Sequence, residues 1–228
     1  METTAVREHP APSGTCLAGI WRGPTVVRAC LLAWCVVMAA PLPAAPPRSP
    51  GSPARFFGLE ARGKRIVYVC DRSASMGEPA GRPLAAAKEE LLRSLDELGA
   101  SQQFGLIFYN ERPRVFSPTG GVVRPVFASD ESRRQARAFL EEVQAVGGTE
   151  HAAAIRAALK IGADVIFVLT DADADHDLTE EDLRSLARAA AGTRIMVVQF
   201  GAAADRRSPR LADLAEGTGG SYTVVAAP

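Results

Sequence analysis

Apolar residues run unbroken through Ile66-Val67-Tyr68-Val69-Cys70 and again through Val165-Ile166-Phe167-Val168-Leu169, and each run leads to an aspartate, Asp71 and Asp171. Short uninterrupted runs of this kind belong to strands covered on both faces. Gln103 to Tyr109 and Ile195 to Phe200 read the same way. Between the runs the period changes. Leu84, Ala87, Leu91, Leu95 and Leu98 recur at three and four, with Pro83 in the first turn and Gly99 at the end, and predict a helix. Ser129 or Asp130 caps a second helix carrying Ala136, Phe139, Leu140 and Val143, which stops at Gly147-Gly148. Thr149 starts a third, through Ile155 and Leu159 to Gly162. Thr179 with Asp182 three residues on forms a capping-box pattern for a fourth, through Leu183 and Leu186 to Gly192. Ser208-Pro209 starts a fifth, before a closing strand near Ser221 to Val225. The Pro and Gly residues from Arg112 to Gly121 suggest a hairpin with short strands near Val115 and Val126. Strands alternating with helices imply an α/β fold with a mainly parallel sheet and helices on both faces.

The N-terminal quarter has a different pattern. Arg22 and Arg28 precede an uncharged apolar run from Ala29 to Ala40, and Val37-Met38-Ala39 before Ala40 offers small residues for a signal peptidase. The run corresponds to roughly 18 Å of helix, short of the roughly 30 Å hydrocarbon core of a bilayer. Residues 1–40 are therefore expected to be an export signal peptide, with an uncleaved signal-anchor as the alternative. The chain would then be placed in the cell envelope or periplasm, or secreted. Pro41, Pro43, Pro46, Pro47, Pro50 and Pro53 make residues 41–55 an extended spacer. A single domain is expected over 56–228.

Composition narrows the function classes. The chain has 228 residues, 47% of them hydrophobic, enough for one α/β domain with a full core. Lys+Arg and Asp+Glu are both 26, so no global field favours nucleic acid. Cys16, Cys30 and Cys35 lie in or before the apolar run, and Trp34 before Cys35 argues against a lipoprotein attachment site. Loss of the leader would leave Cys70 alone, which excludes a disulfide framework and reads as a small buried hydrophobe.

The candidate chemistry lies at the strand ends. Asp71-x-Ser73-x-Ser75 presents one carboxylate and two hydroxyls at alternate positions, a partial ligand set for a small hard cation such as Mg²⁺. In open α/β sheets, ligands bind beyond the carboxyl ends of the strands, where the strand order reverses. Asp71 and Asp171 would meet there if their strands are neighbours, with Thr149 arriving from the Gly-Gly turn. Asp71-x-Ser73-x-Ser75, Thr149 after two glycines, and Asp171 after Val168-Leu169-Thr170 together resemble the metal-ion-dependent adhesion site of a von Willebrand factor type A domain. The resemblance spans roughly residues 60 to 226. It implies a Rossmann-like, doubly wound, mostly parallel six-stranded sheet with one short antiparallel edge strand. It also implies a site for Mg²⁺, with Mn²⁺ or Ca²⁺ as alternatives, in which Ser73, Ser75 and Thr149 ligate through their hydroxyls. Asp71 and Asp171 would act largely through bound waters, and an Asp or Glu of a protein partner would complete the octahedron. Phe56-Phe57-Gly58-Leu59-Glu60 ahead of the first long strand resembles a subgroup of exported bacterial members. Ala74 and Ala172 stand where many relatives carry glycine.

Rival readings are weaker. Asp171, Asp173, Asp175 and Asp177 alternate as in a calcium loop, with Asp182 at the twelfth position, but His176 occupies the place of the turn glycine. Asp171-x-Asp173 after an apolar strand resembles a phosphohydrolase nucleophile loop, without convincing later Lys and acidic segments. His151 and His176 read as solvated helix-start and loop residues, since no nucleophile-elbow serine is present. Arg133, Arg134 and Arg137 read as a charged helix face. The expectation is a non-enzymatic binding module, with a metal-free scaffold of the same fold and the phosphohydrolase as alternatives.

Overall fold

The computed structural model describes residues 53–118, 120, 123–171, 176–201 and 207–228. Residues 1–52, which include the expected leader and nearly all of the expected spacer, lie outside the described residues, as do Ala172, Asp173 and Asp175. A hairpin of β1 (Ala54–Phe56) and β2 (Leu59–Ala61) comes first, so Ala54 and Arg55 are strand, not spacer. Phe57 and Gly58 make its two-residue turn with φ of 46° and 80°. Positive φ at both central residues gives the turn a twist that matches the strands it joins.

The main sheet contains β3 (Arg65–Asp71), β4 (Gln103–Tyr109), β5 (Pro113–Val115), β6 (Val126–Phe127), β7 (Val165–Thr170), β8 (Arg194–Phe200) and β9 (Tyr222–Val225). Its order is β5-β4-β3-β7-β8-β9, and all neighbouring pairs along this path are parallel except β4 with β5. The expected hairpin near Val115 and Val126 is not formed. β5 pairs with Ile107 to Tyr109 and β6 with Gln103 and Phe104, both antiparallel, so they act as one interrupted strand along the β4 edge. The reason is geometric: β3 already occupies the other edge of β4 along its whole length.

Helices α1 (Arg82–Glu97) and α2 (Asp130–Glu141) pack on one face and α3 (His151–Lys160), α4 (Glu180–Ala189) and α5 (Pro209–Gly217) on the other. Strand alternation divides the core. Ile66, Tyr68 and Cys70 of β3 join Leu84, Leu91 and Leu95 of α1 and Leu140 of α2, together with Phe56 of the hairpin. Val67 and Val69 join Ile155 of α3, Leu186 of α4 and Leu211 of α5. Cys70 is a buried free thiol, as its place in the strand suggested. Most helix caps follow the sequence. Ser129 and Ser132 bond reciprocally at the start of α2, and Thr179 Oγ1 accepts from the Asp182 amide at the start of α4. Arg133 departs from the expected solvated face: its guanidinium donates to the carbonyls of Leu95 and Leu98 and closes the end of α1. Among the described residues, no helix is long and apolar enough to cross a membrane.

Two glycines separated by two residues report how tightly the last helix joins the sheet. A Cβ on Gly220 would lie 1.9 Å from the Ile195 carbonyl oxygen, whereas one on Gly217 would meet nothing within 4 Å. Gly220→Ala is expected to destabilise the domain by about 2 kcal/mol or more through forced displacement of β8 or β9. Gly217→Ala, at the end of α5, is expected to be neutral or stabilising by up to about 1 kcal/mol. Urea denaturation of the two variants checks the opposite signs.

Candidate functional site

The strand order reverses at β3. β4 lies on one side of it, and the chain returns through α2 and α3 to place β7 on the other. The carboxyl ends of β3 and β7 are thus neighbours, the arrangement the paired aspartates required. Register explains which side chains meet. Asp71 is paired with Tyr109, Thr170 with Gln199, and the β3–β7 register carried one residue past Cys70–Leu169 sets Asp71 beside Thr170. Tyr109, Asp71, Thr170 and Gln199 therefore form one row across four strands, and all four are buried. Each preceding residue on the same face is apolar: Ile107, Val69, Val168 and Val197. The row is the place where a hydrophobic sheet turns polar.

Asp71 is the centre of the row. It is fully buried; its Oδ1 accepts the Ser73 amide at 2.7 Å and its Oδ2 accepts the Thr170 hydroxyl at 2.8 Å. Loss of hydration pushes its carboxyl up to about 6, against the opposing effect of the Ser73 and Thr170 hydrogen bonds and with a small upward push from Asp171. After Asp71 the chain turns into a single 3-10 turn, Ala74–Gly77, anchored by buried Met76. That turn sets Ser73 Oγ 3.0 Å from Ser75 Oγ, and the Ser75 hydroxyl donates to Asp171 Oδ1 at 2.9 Å. Four of the five expected site residues, Asp71, Ser73, Ser75 and Asp171, are thereby linked through one hydrogen-bonded group. Ala74 is not among the residues with positive φ, so its backbone makes no demand for glycine.

Thr149 is placed differently. It is half-buried, lies outside this hydrogen-bonded group, and precedes α3, which begins at His151 with Glu150 at its cap rather than at Thr149. Its loop is nevertheless tied to the Ser73 loop: the Ala74 amide donates to the Gly147 carbonyl at 2.9 Å and the Val146 amide to the Arg72 carbonyl at 2.8 Å. Two residues that sequence reasoning missed hold the loop from β4. Asn110 Nδ2 donates to the Val146 carbonyl, the Asn110 carbonyl accepts the Glu150 amide, and Glu111 accepts the Gly148 amide at 2.7 Å. The last bond holds the Glu111 carboxyl below its ordinary range. Gly147, at φ 84°, lies so close to both side chains that a Cβ there would fall 2.7 Å from each. The sequence signal was the polar pair directly after the apolar Phe104 to Tyr109 run, at the same height as Arg72.

His151 is a correction. It is 2% exposed rather than solvated, because the Tyr109 hydroxyl lies 2.8 Å from its Nδ1. Burial pushes its pKa down to about 4. His176 is exposed, as expected. The calcium-loop reading loses Asp177, whose carboxylate accepts the Leu178, Arg210 and Leu211 amides at the start of α5. Among the described residues, no three His, Cys, Asp or Glu side chains converge as a ligand cluster. The Asp71 group would instead be a hydroxyl-and-carboxylate set, suited in donor type to a hard cation that keeps several waters.

The family model of the von Willebrand factor type A domain matches residues 64–224, most of the chain and all of the main sheet but its last residue, Val225. The chain belongs to the von Willebrand factor type A domain family. Members of this family are generally protein-interaction modules. Among curated proteins, inter-alpha-trypsin inhibitor heavy chain H4 from Homo sapiens is 36% identical over 92 residues, which is 40% of this chain and 9% of that protein. The Sus scrofa protein of the same name is 36% identical over 87 residues, 38% of this chain and 8% of its own length. The chain thus spans under a tenth of the curated relatives it matches. Among solved structures, a von Willebrand factor type A protein from Catenulispora acidiphila superposes with a TM-score of 0.63 at 24% identity, covering 73% of this chain and 40% of that one. The conserved hypothetical protein BatB from Bacteroides thetaiotaomicron gives 0.55 at 19%, covering 73% and 92%. Both agree with the mixed α/β architecture described above.

Asp71 makes this type A domain sensitive to pH in a definite direction. Its folded-state pKa of about 6 lies above the ordinary 3.8, so the folded state holds the proton more tightly. In chelator, stability from this group is present below about pH 4, falls as pH rises to about 6, and is then level. The difference corresponds to ~3 kcal/mol. Asp71→Asn is expected to remove that slope, so the variant gains on wild type between pH 4 and pH 7. Paired urea titrations in EDTA at both values measure it, and parallel pH profiles would refute it.

Proposed function

We propose that this domain binds a protein partner through a divalent cation, Mg²⁺ in the first place and Mn²⁺ or Ca²⁺ as alternatives. Ser73, Ser75 and Thr149 would hold the ion through their hydroxyls, with Asp71 and Asp171 supporting it largely through water. The observation that carries this reading is the buried Asp71 carboxylate, hydrogen-bonded on both oxygens yet kept hard to ionise by lost hydration, beside the Ser73, Ser75 and Asp171 oxygens. A cation would supply the missing counter-charge. With neutral hydroxyls as the direct ligands, the ion would keep enough uncompensated charge to attract an Asp or Glu of a partner. The protein's own part is rigid presentation. The 3-10 turn aims the two serines, and Asn110 and Glu111 hold the loop that carries Thr149.

The proposal is of a binding module and not an enzyme. It includes export, with residues 1–40 as a cleaved leader or a membrane tether and the proline-rich stretch as spacer.

Calorimetric titration of the chain with Mg²⁺ and Mn²⁺ is expected to show binding that Ser73→Ala/Ser75→Ala weakens at least tenfold, ~1.4 kcal/mol. Mg²⁺ should also raise the melting temperature of wild type and not of the double variant. Equal binding by both proteins would overturn the assignment. Export is checked by fractionating cells that express the chain and sequencing the N-terminus of the mature protein. A start near Ala40 identifies a leader and an intact membrane-bound chain a tether, whereas an intact chain in the cytosol contradicts both.

A further inference from the structure

The end of the main sheet opposite the Asp71 group carries a concentration of basic side chains. Arg62 and Lys64 precede β3, Arg65 begins it, Lys160 ends α3 and Arg194 begins β8. Their contacts gather them at one place. The Lys64 and Arg65 amides and the Arg65 guanidinium donate to the Asp164 carboxylate, the Arg194 amide donates to the Asp164 carbonyl, and the Arg194 side chain donates to the Arg62 carbonyl. The turn after Lys160 passes directly by: a Cβ on Gly162 would lie 3.1 Å from Arg65 Nη1.

All five basic residues except half-buried Arg194 are exposed. Among the described residues, Asp164 is the one carboxylate paired with Lys64, Arg65, Lys160 or Arg194, and its salt bridge at 2.6 Å neutralises Arg65 alone. Acids at the end of α1 and the start of α2 are engaged elsewhere, Asp96 by Arg137, Asp130 by Arg133 and Glu131 by Arg134. The chain has three lysines, and two of them, Lys64 and Lys160, stand here, so a net charge of zero hides a local positive excess. Flexible, strongly hydrated lysines suit a diffuse field of anions better than one aimed carboxylate or phosphate. The chain also enters the domain at this end: Ala54, the first residue of β1, pairs with Ala61, next to Arg62. The Asp71 group lies at the other end of β3, about 20 Å away for a strand of this length.

We propose that this basic end docks on an anionic phospholipid surface, with the cation site turned away from it toward a partner. Exposed Lys and Arg next to a membrane-attached segment are held by anionic headgroups through charge, within a Debye length of the surface. The choice of a membrane over another polyanion rests on the export and tether proposed above; the basic surface itself rests on the contacts just described.

The test uses the full chain bound to vesicles of phosphatidylcholine, alone or with an equal part of phosphatidylglycerol, and reads lysine acetylation by mass spectrometry. Lys88 is the internal reference, since it lies within α1 with its Nζ on the Val143 carbonyl. Phosphatidylglycerol is expected to slow acetylation of Lys64 and Lys160 severalfold and leave Lys88 unchanged, and molar salt should abolish the difference. In flotation, Lys64→Glu/Lys160→Glu should weaken the gain from phosphatidylglycerol about tenfold. Arg82→Glu/Arg112→Glu, the same charge change on exposed residues at the site end, should keep it. Equal acetylation on both vesicles, equal protection of all three lysines, or equal loss in the two double variants would each overturn the docking surface. Tighter binding of a duplex oligonucleotide than of anionic vesicles, through the same two lysines, would replace the lipid with nucleic acid. Protection of Lys64 and Lys160 in a chain that fractionates intact to the cytosol would instead overturn export and the tether while the basic surface stands.

Discussion

A single buried carboxylate organises the carboxyl end of the main sheet. Asp71 leaves the strand core with no exposure to water, and a charge in that position must be satisfied by its neighbours. Thr170 from the adjacent strand and the Ser73 amide from the following turn do so. Their two bonds fix where β3 ends, how the chain turns away from it, and which atoms of Ser73 and Ser75 face Asp171. The partial compensation leaves the carboxyl well above its ordinary range, which makes the group responsive to any positive charge placed beside it.

The sheet supports this group by arithmetic. Parallel register puts residues of equal height on neighbouring strands, and alternation puts every second residue on one face. Asp71, Tyr109, Thr170 and Gln199 share both height and face, so one row of side chains changes from apolar to polar across four strands. Tyr109 then extends the network to His151 on α3, and Gln199 extends it to Tyr222 and the Ser208 amide at the start of α5. Helices on that face are thus joined to the site by hydrogen bonds as well as by the Val67, Val69, Ile155 and Leu186 core. Hydrogen bonds within such a network are strengthened by the low-dielectric core around them.

The loops beside it are tied together in a related way. Their backbone groups are paired with each other and with β4 side chains: Ala74 to Gly147, Val146 to Arg72, Asn110 to Val146, and Glu111 to Gly148. Gly147 permits this because its positive φ and lack of a Cβ let the loop pass against Asn110 and Glu111. Thr149 is carried beside the site by backbone contacts and not by a bond of its own side chain.

Alternation of buried strands with amphipathic helices, the capping residues Ser129 and Thr179, and the aspartates after two apolar runs were all legible along the chain, since each depends on spacing within a few residues. That locality explains why the fold class and the family resemblance were recoverable from order alone. The β5–β6 edge, the role of Arg133 and the helix-capping use of Asp177 were not, because each depends on a partner far away in the chain. His151 shows the difference most directly. Its neighbours in sequence mark a helix start, which is usually wet, while its neighbour in space is the Tyr109 hydroxyl. The chain by itself determined which residues could carry charge and where strands would end. Only the packed sheet, by setting register between segments as much as 99 residues apart, decided which carboxylate would be buried and which hydroxyl would meet it.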